Sequence, residues 1–430
     1  MITQPRLERT LPTILDELAA GPTPDYLDDV FTRTAPMRQR PGWTFPERWL
    51  PMADITRSRA FAPAPPWRLL AVALVVLALV ATALVFVGTQ QPRVPAPFGP
   101  AKNGLVPYDK AGDIYVADPA TGESRLVLGG PEVDSNPSYS PDGTLIAFLR
   151  DAPNLMTEIY VVRPDGTDLR LVTKDPLDEL DSAFWAPDSR RLGVGAAIGD
   201  KNHFWLMDAN GVDKPVELAA GYQPDNVAFR PPDGKEIMFR GTTNEHLGMY
   251  VMDVDTGTIR TQVAPDLGTD MGQHLNFLTY TADGSQILYQ HAVSDGCCEL
   301  WVMNADGTGQ HRFDPLAGPG QAGVPDTSWG GQAVVSPDGT RVAYWHVFND
   351  RPTQRISVAR MDGTGEVVQT GPELNGVARW VWSPDSTKLL MSPLEDVDEA
   401  GHYLLDPAGG PWKAAPWQGT GEPDWQRLAP

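Results

Sequence analysis

The side chains best suited to chemistry in this 430-residue sequence are carboxylates, gathered with a few histidines and aromatics in irregular stretches between apolar runs. Asp175, Asp178, Glu179 and Asp181 share one stretch, Asp295 stands in a second, and Glu395 and Asp396 in a third; His274, Trp329, His346 and Phe348 fall in others. Carboxylates converging from several loops can draw in a cationic peptide or hold a divalent cation such as Ca2+, and an exposed ring can stack on a glycan. The same acids can also serve only as a solvated rim that keeps a domain soluble. Neither a G-x-S-x-G elbow nor an H-E-x-x-H pair occurs, which points away from a serine hydrolase or a zincin. The expectation is a non-catalytic site without a cofactor, a loop-borne glycan hydrolase or lyase being an alternative.

Residues on separate loops acquire a mutual distance only through the fold. The elements that must position them are announced by one phrase, Ser336-Pro337-Asp338-Gly339-Thr340, followed by the apolar Val342-Ala343-Tyr344. Variants recur with the Asp at 142, 188, 233, 283, 338 and 385, roughly 45 to 55 residues apart, which is the repeat length of propeller blades. In each, Pro presets φ, Asp accepts a backbone N–H two residues on, and Gly tolerates positive φ, so the phrase is a hairpin turn. A second hairpin follows in every repeat, as at Asp165-Gly166, Asp306-Gly307 and Asp362-Gly363. Four antiparallel strands at this period make a blade.

These turns, with Ile146-Ala147-Phe148, Ile159-Tyr160-Val161-Val162 and Leu300-Trp301-Val302-Met303, resemble the TolB-type, WD40-like propeller repeats, a propeller shared with dipeptidyl peptidase IV-like proteins. The resemblance covers about residues 103–430 and implies an all-β propeller. It carries no peptidase activity, because in those enzymes the catalytic residues sit on an added α/β-hydrolase domain for which this sequence leaves no room. Residues 105–108, 113–117 and 125–128 read as the last three strands of a blade whose first strand is Pro423 to Leu428, giving seven blades, with six as the alternative. Turns after strands one and three are short, whereas the connections after strands two and four, including Gly195–Asn202 and His291–Cys298, read as long loops; binding is expected on their face. The repeated turn Asp residues read as structural, and Trp185, Trp301, Trp380 and Trp382 as packing between blades. Cys297 and Cys298 read as a loop pair able to form a vicinal disulfide or to stay free.

Ahead of the propeller, Leu69 to Gly88 is an uncharged apolar run long enough to span a bilayer as a helix. Trp67 and Arg68 mark one interface, so residues 67–89 are expected to be an uncleaved single-pass anchor and the Pro-rich 90–102 a stiff tether. Residues 1–66 read as a partly helical cytoplasmic segment, either lying at the membrane surface through Trp43, Phe45 and Trp49 or, in an anti-sigma-like signalling protein, docking a cytoplasmic partner whose hold answers to ligand binding at the propeller. No His or Cys precedes His203, which excludes a zinc-binding anti-sigma motif there. Residues 1–68 carry nine arginines and eight acids, leaving 25 basic and 47 acidic side chains beyond them. That excess suits the extracytoplasmic side, and a binding or scaffolding role toward an envelope protein or glycan rather than nucleic acid.

Overall fold

Some inner strands are buried along nearly their whole length, as in Leu247–Asp253, where six of seven residues are buried. A sheet covered on both faces requires this, and radial stacking of blades covers both faces. The computed structural model describes residues 71–78 and 94–429 apart from 153–155, 174–178, 244–246, 263–278, 295–296, 314–332, 348–353, 375–377, 394–400 and 418. Two units divide the chain, Met1–Gln91 and Pro92–Pro430.

In the first unit, residues 71–78 are α-helical, and Val72, Leu74, Val75, Val76 and Leu77 are each more than half exposed. Among the described residues no helix is long and apolar enough to cross a membrane. The rest of Leu69 to Gly88, and the whole of 1–66, lie outside the described residues.

The second unit is a seven-bladed propeller. Six sheets hold four antiparallel strands in sequence order. Blade 1 runs from Asp134–Tyr139 to Arg170–Leu171, blade 2 from Glu179–Trp185 to Val216–Leu218, and blade 3 from Asp225–Phe229 to Ile259–Gln262. Blade 4 runs from Thr279–Tyr280 to His311–Arg312, blade 5 from Val334–Val335 to Val368–Leu374, and blade 6 from Ala378–Trp382 to Lys413–Ala414. Blade 7 has three strands, Val106–Lys110, Asp113–Ala117 and Ser124–Leu128.

The missing first strand of blade 7 is supplied by the C-terminal segment. Thr420 bridges Asp109 antiparallel, and the Gln426 N–H donates to the Leu105 carbonyl at 2.9 Å. The Gln426 side chain also takes the place of the turn serine of blades 1, 5 and 6: its Oε1 accepts the Leu105 N–H at 3.1 Å, as Ser140 Oγ takes the Leu145 N–H at 3.0 Å. The expected strand Pro423 to Leu428 is regular only at Arg427–Leu428, which pairs with Lys102–Asn103. Between the two contacts stands Pro107, which has no N–H to give a ladder, and opposite it residues 421–425 bulge away.

The repeated turns are structural. Asp338 Oδ1 accepts Ser336 Oγ–H at 2.6 Å, the Thr340 N–H at 3.0 Å and Thr340 Oγ1–H at 2.8 Å. Burial opposes ionisation of this carboxyl, but the three donors outweigh it and hold its pKa below the usual carboxylate range. Neighbouring turns are stitched together by Asp142 N–H to Ser189 Oγ and Asp338 N–H to Ser386 Oγ, both at 3.0 Å. Between blades, Trp185 and Trp382 are buried and donate their indole N–H to the first strand of the preceding blade, at Ser138 O (3.1 Å) and Val334 O (2.8 Å). Trp380 is completely buried, and Trp301 is half-buried against the blade 3–blade 4 core.

Two expected long loops are corrected. Gly195–Asn202 belongs mostly to strands, since Arg191–Ile198 and Lys201–Asp208 pair to their ends and turn at Gly199 and Asp200. Gly199, at φ 66°, supplies the positive φ that so tight a turn needs. Likewise His291 and the cysteines lie in the strands Gln286–Ser294 and Cys297–Asn304, with Cys298 opposite Ala292 and Cys297 opposite Ser294. The vicinal pair is therefore part of a ladder, not a loop ahead of one.

Candidate functional site

Three of the first strands, which line the axis of the propeller, are irregular. Blade 1 slips register between Ser135 and Ser138 and blade 3 between Asp225 and Ala228. In blade 2, Ser182 and Leu180 oppose consecutive residues, leaving Asp181 as the extra one. Asn136 and Asn226 take φ of 51° and 47°, a left-handed conformation that Asn tolerates better than most non-glycine residues. Bulges of this kind re-aim side chains. They are pinned by paired hydrogen bonds from Arg150 to Asp134, at 2.6 and 2.9 Å, and from Arg240 to Asp225. Arg150 also lies 4.6 Å from the Tyr160 ring centre.

Together with the bulged closing segment and Arg379 of blade 6, the irregular first strands of blades 1 and 2 line a cavity of about 450 Å³. Its polar lining is Asn136, Ser138, Ser182, Arg379, Glu422 and Asp424, set among Leu180, Phe184 and Pro423. Arg379 Nε lies 3.1 Å from Glu422 Oε1. The Glu422 N–H donates to Asn136 Oδ1 at 3.2 Å, and the Asn136 N–H to Asp109 Oδ1 at 3.1 Å, so closure of the ring and shape of the cavity are one network. Asp424 Oδ2 accepts the Tyr139 N–H at 2.6 Å. Burial pushes the Asp424 carboxyl pKa up despite that bond. Donors, acceptors and both charge signs thus converge on a partly apolar pocket, as in small-ligand and peptide sites. The lining contains no His or Cys, and no group of metal-ligating residues occurs among the described residues.

A larger groove of about 760 Å³ runs between blades 6 and 7, over Pro411, Pro416 and Trp425. Its Lys388 and Asp406 already pair with each other at 2.9 Å.

The loop residues expected to form the site are not brought together by anything the structure describes. Asp175, Asp178, His274, Asp295, Trp329, Phe348, Glu395 and Asp396 lie outside the described residues. For Glu179, Asp181 and His346 the backbone alone is described, in first and second strands: Glu179 opposes Ala197 and His346 opposes Arg355. The cavity residues Asn136, Arg379, Glu422 and Asp424 were not anticipated. Their signal was the proline that interrupts a first strand, in Asn136-Pro137 and Glu422-Pro423-Asp424, because proline within a strand marks a bulge.

Beside the cavity, His402 is buried at 1% exposure. Its Nδ1 accepts the Trp417 indole N–H at 3.0 Å, and its Nε2 lies 3.2 Å from the Gly421 carbonyl. Only the neutral ring with hydrogen on Nε2 satisfies both partners. Burial lowers the pKa below the ordinary 6.5. The unfolded chain therefore binds the extra proton first, and this contribution to stability is complete above the unfolded value and lost as pH falls below it. Urea unfolding of the native protein should show stability falling from pH 7.5 to 5.5 more steeply than His402→Gln, by up to about 1.4 kcal/mol per pH unit. Parallel curves would remove His402 from the closure's acid response.

No protein-family model matches the chain. An uncharacterized protein of Agrobacterium fabrum is 26% identical over 293 residues, which span 63% of this chain and 88% of that one. Among solved structures, an oligogalacturonate lyase in complex with manganese superposes with a TM-score of 0.50 at 13% identity, over 73% of this chain and 83% of that one. TolB from Acinetobacter baumannii gives 0.43 at 16% identity, over 77% and 68%. At these identities the likeness is one of fold, and the chain shares the propeller with TolB and other propeller proteins.

Proposed function

We propose that this chain is a membrane-anchored propeller that binds a protein or glycan ligand outside the cytoplasm without turning it over. The observation that carries the reading is the cavity lined by Asn136 and Ser182 from the bulged first strands of blades 1 and 2, by Arg379 from the regular first strand of blade 6, and by Glu422 and Asp424 from the closing segment. These groups recognise by hydrogen bonding and charge. The anchor rests on the apolar run Leu69 to Gly88 and on the exposure of Val72 to Leu77, side chains that hydrocarbon would cover. The acidic excess beyond residue 68 supports the outer location.

Affinity capture from native membranes tests this. A ligand should be retained by the full chain and by a chain lacking residues 1–60, and lost from a full chain carrying Arg379→Gln with Glu422→Gln; protease added to intact cells should cut within 103–430. Capture that survives the double substitution would overturn the cavity as the site. A regulator captured only when residues 1–60 are present would replace passive binding by signalling across the membrane.

A further inference from the structure

The axis of the propeller has two different ends. The cavity holding Arg379 and Glu422 takes Asn136, Leu180 and Arg379 from the first halves of their strands, reaches Ser138 and Phe184 further along, and adds Ala147, Leu149 and Ile159 from strands two and three of blade 1. At the other end, where the first strands run into their Pro-Asp-Gly turns, the protein's own chain crosses the opening. Pro95 and Ala101 are buried and Phe98 between them is half-buried, packed against the core of blades 2 and 3 that includes Phe229. Behind residues 97–99 remains a space of about 230 Å³ faced by Ala228, Tyr280, Val335 and Pro337, from blades 3, 4 and 5.

The crossing is held by backbone acceptors. The Arg427 guanidinium donates to the Ala96 carbonyl at 3.2 and 3.1 Å and to the Gly99 carbonyl, and the Ala101 N–H donates to Pro384 O at 2.9 Å. Pro95, Pro97 and Pro100 have fixed φ and no N–H. The segment can therefore cross the strand ends without joining a sheet, at a small entropic cost of ordering.

We infer that residues 95–101 are a built-in stopper, with Phe98 as its head, so that the axial cavity is a blind well and its ligand enters only past the starts of the first strands. The partner-facing surface is then the one that carries the connections after strands two and four. This inference does not depend on what the well binds.

Thiol accessibility on the full chain tests it. With Cys297 and Cys298 changed to Ser, single probes are placed behind the stopper (Ala228→Cys) and in the well (Ser182→Cys), and reacted with a small charged methanethiosulfonate. The well probe should react readily and the Ala228→Cys probe slowly. Adding Phe98→Gly should speed the Ala228→Cys probe by about tenfold or more and leave the well probe unchanged, whereas Phe98→Leu should keep it slow. Phe98→Ala gives an intermediate rate and the same reading if the glycine variant does not fold. Equal rates with Phe98 in place, or equal acceleration of both probes, would overturn the stopper.

Discussion

A chain ending at Trp417 is expected to yield no stable monomeric propeller. The deletion removes Trp425, 6% exposed within the blade 6–blade 7 core, and loss of a buried tryptophan alone costs about 3–5 kcal/mol. It also strips the Asp109–Thr420 bridge and the Gln426–Leu105 bonds, leaving the inner edge of Val106–Lys110 open to pairing with another chain. Against a total stability of roughly 5–15 kcal/mol, these losses decide the outcome. Size-exclusion chromatography with circular dichroism should find aggregate or unfolded chain. A point change should act the same way in milder form: a β-carbon at Gly419 would stand within the Tyr108 ring, so Gly419→Val must push the closing segment off blade 7. A truncated chain that elutes as a monomer and unfolds at the native urea midpoint would show that six blades suffice.

The second large effect is expected at Trp380, the largest fully buried side chain among the described residues, which meets Trp345 edge to face at 4.9 Å between blades 5 and 6. Trp380→Ala should lose about 3–5 kcal/mol in urea unfolding, as large-to-small core changes do. Its indole N–H is buried without an acceptor. Trp380→Phe keeps a ring and removes that donor, so it should lose under about half as much, the smaller cavity being partly offset by a desolvation penalty no longer incurred. Equal losses in the two variants would mean that ring packing is not what this position supplies.

The blades were legible in the sequence because each turn is local. Ser336, Asp338, Gly339 and Thr340 make their bonds to one another, so five consecutive residues announce the element. The seventh blade was legible in place, since the two chain ends matched complementary parts of a repeat. Its bulge was not, because it depends on Pro107 meeting a segment more than 300 residues away. The axial site was hidden for the same reason. The prolines beside Asn136 and Glu422 mark bulges but not what they meet, Arg379 has no such neighbour, and the three converge only when blades 1, 6 and 7 stand side by side. Loop carboxylates drew attention by composition, which carries no distance.

The seam of the ring also sets an order of events for the growing polypeptide. Leu105 and Asp109 wait for partners that lie 321 and 311 positions later. Six sheets can pair from neighbours as they emerge during synthesis, but the seventh cannot be completed until residues 420–428 have emerged. The entropy of bringing such distant ends together grows only slowly with separation. Delay, rather than improbability, is what the nascent protein must survive, with the inner edge of Val106–Lys110 unpaired until the segment 311 residues later is made.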